Sequence, residues 1–202
     1  MQETILAPRS EYVNLYKGFA NEITGETFKC ISNTKDACIF EWIVQPNGYV
    51  PFSHIHLNQD EIFHVRKGEV RLMIDGTEVI GLPGDKVRVP KGKPHIAFNN
   101  TCDTLECVVS FEPGLDSYKF FQCFGGLTIE KQMDKRGQIN VPKMLYFTKR
   151  MNAHCVARPT SIPAPLFKVT MYFSYVAGLL FGWEKDYLRY TMGDQHPNYS
   201  IL

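Results

Sequence analysis

Three histidines and one glutamate, His54, His56, Glu61 and His95, stand at spacings that a sheet can bring to a single ion. Side chains alternate faces along a strand, so His54 and His56 project from the same side, a geometry that two residues so spaced on a helix do not have. The turn residues Asn58, Gln59 and Asp60 follow, and Glu61 can then open the next strand and reach back beside the pair. His95 comes just after Pro90 and Gly92 and arrives from a more distant strand. Four ligands carried by three strands converge only inside a rolled sheet. A lone His-x-His would read sooner as polar turn residues or a vestigial site than as a metal site, so the surroundings of these four decide between the readings.

Those surroundings form two halves. The first runs Gly48, His54, His56, Glu61, Gly68; the second runs Gly84, Pro90, Gly92, His95, Asn99; fifteen residues lie between them. This pattern resembles the two sequence motifs of the cupin family at every fixed position of both. The resemblance implies a mainly β fold, the cupin double-stranded β-helix or jelly-roll barrel, here followed by C-terminal α-helices. It also implies that His54, His56, Glu61 and His95 bind a metal. It leaves the substrate open, because this fold hosts many unrelated chemistries.

Pattern along the chain divides it into an N-terminal arm at 1–24, a barrel at 25–114 and a helical extension at 115–202. In the barrel, Cys38, Phe40, Trp42 and Val44 share one strand face while Glu41 marks the wetter one. Val50 and Phe52 precede His54 and His56 on the same face, which places the ligands in a largely dry cavity. Phe63 shares the Glu61 face and His64 points away. Phe52, Phe63 and Trp42 are therefore the expected lining of a substrate pocket. Asp75-Gly76 predicts a two-residue hairpin, whose type I′ turn needs positive φ twice. Asn99 is expected to support backbone rather than bind metal. Pro113-Gly114 closes the last barrel strand.

Beyond Gly114 the period changes from 2 toward 3.6. Asp116 and Ser117 can cap a helix with the stripe Phe120, Phe121, Phe124 and Leu127, although Gly125-Gly126 could break it. Pro142 suits the first turn of a second helix carrying Met144, Phe147, Met151 and Cys155. Leu166–Trp183 is the most apolar stretch, with one charge, Lys168. Its uncharged part would span about 22 Å as a helix, short of a hydrocarbon layer of about 30 Å. Large residues recur at helical steps (Leu166, Val169, Phe173, Val176, Leu180, Trp183), with Ser174, Ala177 and Gly178 as a small-residue back. The expectation is a helix buried against the barrel or a second subunit, giving a homodimer, with membrane contact disfavoured. His154 and His196 lack ligand-like spacing.

Composition excludes several classes. Twenty-two basic against twenty-one acidic residues give a net charge of +1, so no basic stripe argues for nucleic acid. The six cysteines form no C-x-x-C pair, which argues against thiolate zinc and for reduced thiols in a cytoplasmic setting. The N-terminal residues lack a basic lead and an apolar core, against a secretory signal.

Three functions remain. A mononuclear metalloenzyme leads: three imidazoles and one carboxylate on a roughly octahedral divalent ion (Fe, Mn, Ni or Zn) leave up to two positions for substrate, water or dioxygen. Dioxygenase-like chemistry on a small molecule comes first, isomerase or decarboxylase chemistry next. The others are a non-catalytic small-molecule sensing module and a membrane-associated protein with an accessory barrel.

Overall fold

The computed structural model describes residues 13–151 and 157–191. Half of the expected arm, 1–12, together with His154, Cys155, His196 and the tail from 192 onward, lies outside the described residues. In chain order the elements are β1 (Phe19–Asn21), β2 (Glu26–Asn33), β3 (Cys38–Val44), β4 (His54–His56), β5 (Asp60–Lys67), β6 (Val70–Ile74), β7 (Thr77–Gly81), β8 (Lys86–Val89), β9 (His95–Phe98) and β10 (Leu105–Glu112). Then come α1 (Ser117–Ile129), α2 (Val141–Arg150), β11 (Ala157–Pro159), α3 (Ala164–Phe181) and α4 (Glu184–Thr191).

The strands form two antiparallel sheets, ordered β1-β2-β3-β10-β5-β8 and β11-β4-β9-β6-β7. Alternation explains which faces meet: along β3, Cys38, Phe40, Trp42 and Val44 are buried while Glu41 is exposed. β10 repeats the pattern with Leu105, Cys107, Val109 and Phe111. These inward rows pack between the sheets as a jelly roll. Asp75 and Gly76 have φ of 51° and 82°, and Ile74 pairs with Thr77, so the expected hairpin forms.

The two motif halves are joined through backbone. Gly92 N–H donates to the His56 carbonyl at 2.8 Å, and Asn99 N–H to the Gly48 carbonyl at 2.8 Å. The Asn99 side chain donates to the carbonyls of Val44, Gln45 and Asp103, so it does brace backbone. A Cβ on Gly48 would meet Val44 Cγ1 at 2.6 Å and the Thr24 carbonyl at 2.7 Å, which is why only glycine fits there.

Two strands come from outside the segment read as the barrel. Phe19–Asn21 adds an edge to the first sheet, and Ala157–Pro159 adds one to the second. The barrel is thus not complete at Gly114. α1 runs unbroken through Gly125-Gly126, because those glycines let Phe19 and Tyr190 approach the helix closely. Asp116 makes no side-chain cap, whereas Asn140 caps α2 by accepting from Lys143 N–H.

α3 corrects an expectation. Its small residues do face a neighbour: Ser174 and Gly178 are buried, and a Cβ on Gly178 would lie 2.0 Å from the Tyr146 ring of α2. Its large residues, however, are not buried against the barrel. Leu166, Val169, Phe173, Val176 and Leu180 are all exposed in the single chain, Leu180 by 81%, and Trp183 is half-buried against Tyr146. Tyr146 needs a flat surface for its ring, and the small-residue back is the only one α3 offers.

Candidate metal centre

His54 and His56 lie on β4, Glu61 on β5 and His95 on β9, so three strands from both sheets supply the four side chains. All four are buried, and their ligand atoms lie within 4.8 Å of one another. Glu61 Oε2 is 2.7 Å from His95 Nε2 and 3.3 Å from His56 Nε2. Second contacts aim the rings. His54 Nδ1 lies 3.2 Å from the Phe52 carbonyl and His95 Nδ1 3.1 Å from the Lys93 carbonyl, so N–H at Nδ1 leaves the Nε2 lone pair for the centre. Beside Glu61, Asp60 accepts from Lys91 N–H at 2.8 Å and pairs with Arg88, which ties the second motif loop to the strand carrying the carboxylate. β11 lies along the ligand strand, Ala157 opposite His56 and Pro159 opposite His54.

A metal fits this set on an observation independent of spacing. His56 Nδ1 is buried without a hydrogen-bond partner, and its Nε2 has only the Glu61 carboxylate, 3.3 Å away. A buried polar group left unpaired costs about 1–3 kcal/mol, and an ion is the partner such a group can take.

The electrostatics agree. Burial alone would raise the Glu61 carboxyl, but hydrogen bonding and charge from His56 and His95 outweigh it and hold Glu61 below the usual carboxylate range. Burial, then the neighbouring His56 and His95, pushes His54 down to about 3, so it is a neutral donor. For His95, burial pulls downward and the Glu61 contact more than offsets it, leaving the imidazole raised. The set is three imidazoles around one ionised carboxylate.

The centre opens into a cavity of about 100 Å³. At roughly 10–15 Å³ per water-sized probe, that is room for a ligand of roughly seven to ten non-hydrogen atoms, the size of one ring. Trp42, Phe52 and Phe63 are among the residues that line it. The helical extension contributes too, with Phe120, Phe121 and Phe124 of α1 and Ala157 of β11 closing the wall. The aromatic stripe of α1 is therefore cavity wall as well as core.

Among the lining residues that sequence reasoning did not name, Glu26 is the ionisable one. It is buried at the start of β2, and burial, outweighing its hydrogen bonds to Thr24 and Trp42, pushes its carboxyl up to about 8, with Glu61 adding repulsion. The signal was present in alternation: Glu26 shares the inward face with Phe28 and Cys30, while Lys29 pairs outward with Glu41. Because the folded-state value lies above the unfolded one near 4.5, the stability tied to Glu26 is full below pH 4.5 and is lost as pH rises through 8. The melting temperature of wild type, compared with Glu26→Gln, should therefore fall across pH 4.5–8 and level off above it. A constant difference between the two would contradict a buried neutral acid.

A cupin domain model matches residues 40–111, the span from β3 through β10 that holds all four ligands. Residues 40–111 are therefore a cupin domain. Solved cupins of similar shape include the cupin domain of Schizosaccharomyces pombe Cnp3, at 10% identity over 44% of this chain and 64% of that one, with a TM-score of 0.41. KdgF from Halomonas sp. matches at 21% identity over 55% of this chain and 98% of that one, with a TM-score of 0.46. A sugar phosphate isomerase of the cupin superfamily from Silicibacter pomeroyi matches at 22% identity over 51% and 67%, with a TM-score of 0.42. Among curated proteins no relative of similar sequence was found.

Proposed function

We propose that this cupin is a mononuclear metalloenzyme with dioxygenase-like chemistry on a small apolar or aromatic molecule. One observation carries the reading: the buried His54, His56, Glu61 and His95 cluster opens directly into a one-ring-sized cavity walled by aromatic side chains. Three imidazoles and a carboxylate suit a divalent ion such as Fe, Mn, Ni or Zn, which when bound supplies a Lewis acid with open coordination positions. The chain's own residues do the rest. The three imidazoles and the carboxylate would hold the ion, the aromatic wall excludes water, and the helical extension closes the cavity. Metal analysis of anaerobically purified protein, followed by oxygen-uptake assays across small organic acids, phenols and thiols, tests the proposal. Metal-dependent uptake with an aromatic compound is expected. A metal-loaded protein that binds such compounds and turns none over would instead be a sensing module.

Glu26 favours a second reading, proton-transfer chemistry of the isomerase or decarboxylase kind, since it is an acid in the same cavity and outside the ligand set. Turnover unaffected by the removal of oxygen would select it.

We further propose a cytoplasmic homodimer joined through α3. Among the described residues, none of Cys30, Cys38, Cys102, Cys107 and Cys123 forms a disulfide, which supports a reducing compartment. α3 is 18 residues long with a mean hydropathy of 1.3, and only 17% of it is buried. As a span it would reach about 27 Å and drag its packed neighbours with it. Those neighbours include the Arg150–Glu184 ion pair beside Tyr146, a costly group to place in hydrocarbon. A second copy makes no such demand. Light scattering at micromolar concentration should give twice the chain mass, and Phe173→Glu with Leu180→Glu should give a soluble monomer. Wild-type monomer that sediments with lipid vesicles would replace the dimer with a membrane surface.

A further inference from the structure

Among the residues lining the cavity, Glu26 is the only ionisable side chain outside the metal cluster. It is 1% exposed. Its Oε1 accepts from Trp42 Nε1–H at 3.1 Å, and its Oε2 lies 2.8 Å from the Thr24 hydroxyl, which in turn lies 3.5 Å from the Asn21 carbonyl. No lysine or arginine among the described residues pairs with it. The titratable groups that share its cavity are Glu61 on β5 and His54, His56 and His95 on β4 and β9; Trp42 on β3 and Thr24 before β2 are its uncharged neighbours. The remaining lining is apolar, so the cavity has two polar points, the metal centre and this acid.

We propose that Glu26 is the proton and hydrogen-bond donor to an acceptor oxygen of the bound molecule, so that the ligand is a one-ring-sized compound presenting a carbonyl, carboxylate or enolate oxygen. The inference deepens the metalloenzyme reading and rests on it. A neutral carboxylic acid has a donor that a carboxylate lacks, and burial keeps Glu26 neutral up to about pH 8. In the transfer, the Glu26 O–H bond breaks and an O–H bond forms on the ligand, while the electron pair stays on the Glu26 carboxylate. Trp42 Nε1–H and the Thr24 hydroxyl already point at that carboxylate and would stabilise it. The proton returns as the product leaves, so nothing is consumed. An acid with its midpoint near working pH suits this exchange in both directions.

Benzoate, with nine non-hydrogen atoms, is a probe of the right size and class. Its affinity for the metal-loaded protein should be measured by calorimetry between pH 6 and 9 for wild type, Glu26→Gln and Glu26→Leu. Gln can accept from Trp42 and donate to Thr24, so this variant retains the buried network and folds. Wild-type affinity should fall about tenfold from pH 7 to 9, as the neutral fraction drops from roughly nine-tenths to one-tenth. Glu26→Gln, which keeps a donor and cannot ionise, should be flat over that range. Glu26→Leu should bind at least about tenfold more weakly at pH 7, the cost of one lost hydrogen bond to a charged group. Equal affinity in wild type and Glu26→Leu, or the same pH slope in Glu26→Gln, would overturn the role of Glu26 while leaving the metal reading intact. No benzoate binding by metal-loaded wild type would overturn the ligand class, and failure to load metal at all would remove the reading beneath it.

Discussion

His56→Ala and His95→Ala proteins should purify with only a small fraction of the one metal ion per chain carried by wild type. Each substitution removes a ligand from a preformed, buried set, and affinity should fall by at least about a hundredfold, more than the ~10–100-fold lost when only an outer partner of a ligand is removed. His56 is the more informative of the two, since its buried Nδ1 has no partner in the protein and its Nε2 has only the Glu61 carboxylate. Removing it without losing metal would show that the orphaned ring has another purpose. Acid should act in the same direction. Burial pulls His95 down but the Glu61 contact more than offsets it, so protons compete for His95 more readily than for His54, which is pushed down to about 3. Metal affinity should therefore weaken as pH falls through about 6.5, where imidazole gains its proton. Affinity unchanged between pH 5 and 8 would contradict histidine ligation.

Phe121→Ala should be the most damaging single change outside the centre. The ring sits where α1 meets the first sheet, 4.3 Å from Phe40, 5.3 Å from Phe111 and 5.5 Å from Phe28, and it also lines the cavity. Truncating a buried phenylalanine costs about 3–5 kcal/mol, the sum of lost transfer energy and the void left behind. In a protein of this size that lowers the melting temperature by roughly 6–20 °C. Because the void adjoins the cavity, the variant should also accept ligands one ring substituent larger than wild type accepts. A melting temperature within two or three degrees of wild type would mean that α1 is dispensable to the barrel.

The parts of this molecule that could be read from the sequence are those set by local periodicity. His54 and His56 share a face because of a period of two, Asp75-Gly76 turns because both positions need positive φ, and Cys38 to Val44 alternates because one side of β3 is core. The cupin motifs then supplied the convergence of Glu61 and His95, which no local pattern can give. What escaped was decided at long range. Phe19–Asn21 and Ala157–Pro159 are strands of three residues, too short for alternation to register, and exist because a neighbouring edge offers hydrogen bonds. On α3, apolarity singled out the large-residue face for burial, yet the Tyr146 ring required Ser174 and Gly178 instead. Glu26 was hidden by its type, since a glutamate opening a strand ordinarily reads as solvated. Alternation with Phe28 and Cys30 turns it inward, and the pairing of β2 with β3 sets it beside Trp42.

The central claim is that three imidazoles and one carboxylate hold one divalent ion at the wall of the cavity. X-ray absorption at the metal edge of anaerobically purified protein addresses it directly, because imidazole rings give their own multiple-scattering pattern. The account predicts one metal per chain, with three imidazole nitrogens and at least one oxygen at about 2.0–2.2 Å. A sulfur shell near ~2.3 Å, a spectrum without imidazole scattering, or protein that takes up no metal would contradict it.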